Sequence, residues 1–161
     1  MVDRVEKVTP SAGLQIRHKG VFDLDRLYSE SKGWIKDHDY DFQEKEHSDK
    51  KKDKGKEITY VFLAEKEVTS YFKYHIEIKF ELVEVNPISE NLVNGVAKIT
   101  LHSKVELDYK KHWSQNGLSN FFFKYYNNYV IKEKAKEQIN TLQNETVEFW
   151  DLIKDILDFN R

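Results

Sequence analysis

The sequence predicts an α+β fold, a curved antiparallel sheet packed on a long C-terminal helix. Three observations carry this. Residues 72–82 alternate strictly, with Phe72, Tyr74, Ile76, Ile78, Phe80 and Leu82 set between Lys73, His75, Glu77, Lys79 and Glu81. Residues 97–109 alternate in the same way, and 58–64 put Ile58, Tyr60, Phe62 and Ala64 on one face with Val61 and Leu63 on the other, as in a strand covered on both sides. From Ser119 onward there is neither Pro nor Gly, and apolar residues recur at spacings of three and four. A strand that is apolar on one face needs cover on that face alone, and the terminal helix can supply it.

The elements follow in order. Residues 1–13 read as a leader or edge segment, closed by Pro10-Ser11-Ala12-Gly13, and residues 14–161 as a single domain. Leu14, Ile16 and His18 alternate with Gln15, Arg17 and Lys19 as a first strand. A helix capped by Asp23 or Asp25 follows, with Leu24, Leu27, Tyr28, Trp34 and Ile35 on one stripe and Gly33 as a stop or kink. Tyr40 and Phe42 open the next strand. The charged run from Asp49 to Lys56 reads as a hairpin loop. Ile58 to Ala64 forms a strand, and Glu65 to Ser70 a turn or a bulge. The long strand 71–85 is stopped by Asn86-Pro87, because proline cannot donate to a ladder. A loop runs to Asn94-Gly95, which reads as a turn or bulge pair before the last strand. The final helix spans about residues 119–159, with weak points at Asn127-Asn128 and Thr141 to Thr146. Unbroken, it would reach roughly 60 Å at 1.5 Å per residue, so it must bend, overhang or meet another chain.

Composition narrows the function classes. Charged residues make up 34% and aromatic residues 14% of the 161 positions, so a few large rings must build the core. The formal net charge of −2 argues against general nucleic-acid wrapping. Only the Lys50–Lys56 stretch is basic enough to touch phosphates or an acidic surface. Cysteine is absent, which excludes disulfides, thiolate catalysis and cysteine-based zinc sites. No apolar run approaches the roughly 20 residues of a membrane span. The charged first ten residues lack a signal-peptide core, and the expected location is cytoplasmic.

The element order of strand, helix, antiparallel strands and long terminal helix resembles the START-like helix-grip superfamily. That resemblance covers about residues 14–159 and rests on element order, with no family motif matched. It implies a space between sheet and helix that holds an apolar small molecule. Two departures stand out: a longer final helix and a strand count short by one or two.

Candidate site residues fall into groups. His75 and His102 lie on the wet faces of two strands and could share a metal with Glu77 or Glu106, but exposed surface histidines are the expected reading. His18 sits on the apolar side of its strand. Glu44 and Glu46 continue the inward parity of Tyr40 and Phe42, which would make a cavity acid unless the strand turns outward first. Trp113, Phe121, Phe122, Phe123, Tyr125, Tyr126 and Tyr129 exceed what one helix face can hide. Phe-rich surplus of this kind suits a protein interface.

There is no glycine-rich phosphate loop, nucleophile elbow or His-Glu-x-x-His motif. The expected function is therefore a non-enzymatic binding or assembly module. It would engage a protein partner, or a second copy, through Phe123, Tyr126, Trp150 and Ile153. The alternative is a carrier of an apolar small molecule, lined by His18, Tyr60, Tyr74, Phe80 and Tyr125. Neither reading uses a catalytic residue, a metal or a cofactor.

Overall fold

A computed structural model describes residues 5–107 and 131–158 of the chain. The described residues form six strands and two helices. They are β1 (Val5–Lys7), β2 (Leu14–Asp23), α1 (Leu24–Asp37), β3 (Asp41–Lys52), β4 (Gly55–Glu67), β5 (Phe72–Pro87), β6 (Leu92–Leu107) and α2 (Ile131–Asp158).

All strands join one antiparallel sheet in the order β1–β6–β5–β4–β3, and β2 pairs with the same edge of β6 as β1. The sheet is curved and open, and α2 packs on its apolar face. That face carries Phe62 of β4, Ile78 and Phe80 of β5, and Ile99 and Leu101 of β6, all 0% exposed. From α2 it receives Leu142, Phe149, Ile153 and Ile156, also fully enclosed. The rings interlock edge to face, with Phe62 and Phe80 centroids 5.1 Å apart and Phe42 and Phe62 4.9 Å apart. The expected strand-and-helix layering is therefore observed.

Helix α1 starts where the Asp23 side chain accepts a hydrogen bond from the Arg26 amide at 2.9 Å. It runs unbroken through Gly33, which was expected to stop or kink it. Its buried stripe of Leu27, Ser31, Trp34 and Ile35 outweighs the propensity cost of one glycine. Its C-terminal end is tied to α2. The His38 ring stacks on Trp34 at 3.9 Å, and both the His38 Nε2 and the Trp34 indole nitrogen approach Glu148 Oε1, at 3.2 and 3.3 Å.

Several expected boundaries move. The Asp49–Lys56 stretch is not a loop: β3 and β4 run through it to a two-residue turn at Asp53-Lys54. Gly55 explains why the tip is tight, since its φ is +138° and a Cβ would lie 2.8 Å from the Glu84 carbonyl carbon. Asn86 clamps the tip by donating to the Lys54 carbonyl at 2.9 Å. Strand β5 runs two residues past Val85 and ends at Pro87 itself, paired with Val93. Asn94 and Gly95 lie within β6 rather than in a turn, and the turn is at residues 88–91. Residues 68–71 form the preceding turn, where the Thr69 hydroxyl accepts from the Tyr71 and Phe72 amides. Residues 5–7 belong to the sheet edge. Helix α2 continues through Thr141 and Thr146, whose hydroxyls bond back to Glu137 and Leu142 carbonyls. The expected helix segment 119–130 and its Asn127-Asn128 break lie outside the described residues.

Candidate functional site

A half-open space lies on the outer face of the sheet, opposite α2. It is a groove of about 420 Å³. Its floor is the polar side of β4, β5 and β6, where Leu63, His75, Glu77, His102 and Lys104 alternate with core residues. One wall is a hook of chain between β1 and β2. Lys7 pairs with Lys104 and Leu14 with Leu101, so residues 8–13 face only residues 102 and 103 of β6. The surplus chain has to arch over the sheet, and Thr9, Pro10 and Ser11 line the groove.

Local chemistry holds the hook. The Pro10 carbonyl accepts from the Gly13 amide at 2.8 Å. Gly13 has φ +80°, and a Cβ there would lie 2.8 Å from the Leu101 carbonyl oxygen and 2.9 Å from the His102 ring. Ser103, 3% exposed, anchors the other end. Its carbonyl accepts from the Val8 amide at 2.9 Å, and its own amide donates to the Thr9 hydroxyl at 3.1 Å. On the inner side its hydroxyl lies 3.0 Å from that of Thr146 on α2. Groove wall and helix thus meet at one buried polar residue.

The far side of the groove is Glu65 and Lys45. Lys45 is the extra residue of a β-bulge, at the register shift between Glu44 and Glu46. Charges here fall into two sets. Glu65 is held by Lys73 at 3.2 Å and by His75 Nδ1 at 3.4 Å, and Glu106 by His75 Nε2 at 2.9 Å. Lys7, Lys45 and Lys104 make no ion pair among the described residues. Burial lowers the Lys73 ammonium pKa, but Glu65, Glu106 and Glu67 together outweigh it and the net shift is upward.

His75 and His102 do lie on one face of adjacent strands. They are diagonal, since His75 pairs with Lys104 and His102 with Glu77. Among the described residues no group of three or more His, Asp or Glu side chains is placed to hold a metal.

The bulge also decides the fate of the two glutamates. Glu44 faces inward, but the inserted residue turns Glu46 outward and brings His47 in, opposite Tyr60. The Tyr28 hydroxyl donates to Glu44 at 2.8 Å, and His47 Nδ1 lies 3.1 Å from the other carboxylate oxygen. The His47 ring meets Tyr60 edge-on at 4.6 Å. The hydrogen bond to Glu44 raises the Tyr28 pKa, with a further contribution from burial. Tyr60 is raised chiefly by burial. Sequence parity pointed to a pair Glu44 and Glu46. The pair that forms is Glu44 and His47, and no glycine or proline marks the bulge that creates it.

Of the residues expected to line an apolar cavity, His18, Tyr60, Tyr74 and Phe80 are all buried on the inner face, at 5%, 7%, 1% and 0% exposed. Tyr125 lies outside the described residues. Burial, followed by the charge of Glu145, pushes the Tyr74 hydroxyl up to about 12. Its hydroxyl donates to Gln138 of α2. Of the residues expected to meet a partner, Phe123 and Tyr126 lie outside the described residues, as do Trp113, Phe121, Phe122 and Tyr129. Trp150 is half-buried. Ile153 is 0% exposed and faces the sheet, so it is a core residue and not part of an outward surface. The helical period that placed it beside Trp150 does not say which side of the stripe is covered. Trp150 and His18 do come together, at a cleft between β2 and the end of α2.

No helix among the described residues is long and apolar enough to cross a membrane. Comparison with family models, curated proteins and solved structures gives no match for this chain.

Proposed function

We propose that the protein is a non-enzymatic binding module whose outer sheet face receives an acidic segment of a protein partner. One observation carries the reading. The groove presents Lys7, Lys45 and Lys104 without ion-pair partners among the described residues, while the nearby Glu65 and Glu106 are already engaged. Unmet cations around a half-open groove attract acidic side chains and speed their encounter. A groove of about 420 Å³ fits a few residues of extended chain.

The reading relocates the binding surface expected from the sequence. The outward positions of α2 are mostly charged, with Val147 and Trp150 as apolar exceptions. The apolar-carrier reading draws less support, because Tyr60 and Phe80 pack against each other and Tyr74 is buried with its hydroxyl on Gln138. The order of elements supports a relation to the START-like helix-grip superfamily in architecture alone.

The test is fluorescence anisotropy with a labelled glutamate-rich decapeptide at low and physiological salt. The double variant K45E/K104E is expected to weaken binding about tenfold or more, and added salt to weaken it further. Equal affinity for wild type and double variant would remove the reading.

A further inference from the structure

The cleft between β2 and the C-terminal end of α2 has a chemistry of its own, independent of the outer groove. It measures about 250 Å³ and is lined by Arg17 and His18 of β2 and by Trp150, Lys154 and Asp158 of α2. That is many times the roughly 30 Å³ of one water molecule and below the range of drug-sized sites.

Two buried nitrogens at this cleft have no hydrogen-bond partner: His18 Nδ1 and Trp150 Nε1. The His18 side chain is 3% exposed, and its Nε2 lies 3.2 Å from the Val21 carbonyl oxygen. A carbonyl only accepts, so the ring hydrogen of neutral His18 sits on Nε2 and Nδ1 is left as an acceptor. Asp158 Oδ1 is 3.9 Å from Nδ1, beyond hydrogen-bond reach. The Trp150 indole N–H is a donor only. Leaving such groups unmet is costly, and native proteins leave few of them so. Lys154 Nζ stands 4.8 Å over the indole ring, and Arg17 completes a cationic rim.

We infer that this cleft binds a small hydroxycarboxylate. Its hydroxyl would donate to His18 Nδ1, and an oxygen would accept from Trp150 Nε1. Its carboxylate would lie between Arg17 and Lys154. Both nitrogens are closed to bulk water, so an occupant reaches them only by displacing side chains of the lining.

The test follows the Trp150 indole N–H resonance by nuclear magnetic resonance during titration of the full chain with lactate, propionate and glycerol. Lactate is expected to shift that resonance saturably at millimolar concentration. Propionate lacks the hydroxyl and glycerol the charge, so each should bind at least tenfold more weakly. Trp150→Phe keeps a ring while deleting the N–H, assigns the resonance and should lower lactate affinity about tenfold, read from the other shifted resonances. His18→Gln should do the same, with its melting curve checking the fold. No saturable shift with lactate, or equal responses to lactate and propionate, would overturn the inference. So would undiminished lactate affinity in a folded Trp150→Phe variant. Loss of peptide binding in the K45E/K104E variant leaves this result untouched.

Discussion

Strand β5 shows two surfaces made from one stretch of chain. Its even-numbered residues from Phe72 to Leu82 are all 3% exposed or less. Its odd-numbered neighbours hold charges in water, and some of those charges neutralise one another, as in the Lys79–Glu81 contact at 2.9 Å. The inner surface is specified by volume and shape. The outer one is specified by which charges remain unpaired. Stability should therefore live on one side and recognition on the other.

The largest expected separation comes from truncating each face in turn. Phe80→Ala should cost about 3–5 kcal/mol, because it removes a fully enclosed ring among Tyr60 and Phe62. Lys79→Ala, one residue away, should stay within about 0.5 kcal/mol. Urea denaturation of both variants checks the contrast, and comparable losses would break it.

The hook joins the two surfaces, so it should respond differently from either. Gly13→Ala forces a side chain at φ +80° into the Leu101 carbonyl. A loss of about 1–3 kcal/mol is expected, together with weaker binding in the outer groove. Ser103→Ala should cost less, about 0.5–1.5 kcal/mol, because the Thr146 hydroxyl loses one contact but keeps the Leu142 carbonyl. A double-mutant cycle with Thr146→Val would measure how strongly groove wall and helix are coupled.

Alkaline pH should attack the inner face selectively. Tyr74 titrates near 12 in the folded protein and near its ordinary value of 10.0 in the unfolded chain. The neutral phenol is therefore the form that folding favours. Its contribution is fully present below pH 10 and is lost as pH rises toward 12. Tyr40, also raised by burial, acts in the same direction. Absorbance at alkaline pH should show delayed tyrosine ionisation, and Tyr74→Phe should flatten the fall in stability. A small gain is expected at α1. A Cβ added at Gly33 meets nothing within 4 Å, so Gly33→Ala should stabilise by about 0.5–1 kcal/mol in thermal melts.

The strands on either side of each hairpin were legible in the sequence because a half-covered strand alternates with period two. Asp23 was legible as a cap because its short carboxylate suits a helix start. Turn positions were harder. Asn94-Gly95 suits a turn or a bulge, and only the pairing selects between them: Gly95 faces the bulged part of β5, with the Val83 carbonyl 3.1 Å from where its Cβ would be. The lysines at the β3–β4 tip looked like a solvated loop because charge alone does not distinguish a loop from an exposed ladder.

The candidate groove was less legible still. His75 and His102 were recognisable as same-face residues. Their diagonal register was set by pairing that no single strand encodes. The hook over β6 arises because two short segments share one edge with different offsets, and Lys45 reaches the groove only as the extra residue of a bulge. His18 and Trp150 come together across 132 positions of chain, through the docking of α2 against β2.

Local periodicity is a property of consecutive side chains, so alternation and helical repeat determined the α+β class, the buried ring set and most elements directly from the chain. Register, bulges and the choice of covered helix side depend on contacts between distant segments. They are settled only when the whole sheet closes over its core and the remaining charges find, or fail to find, a partner.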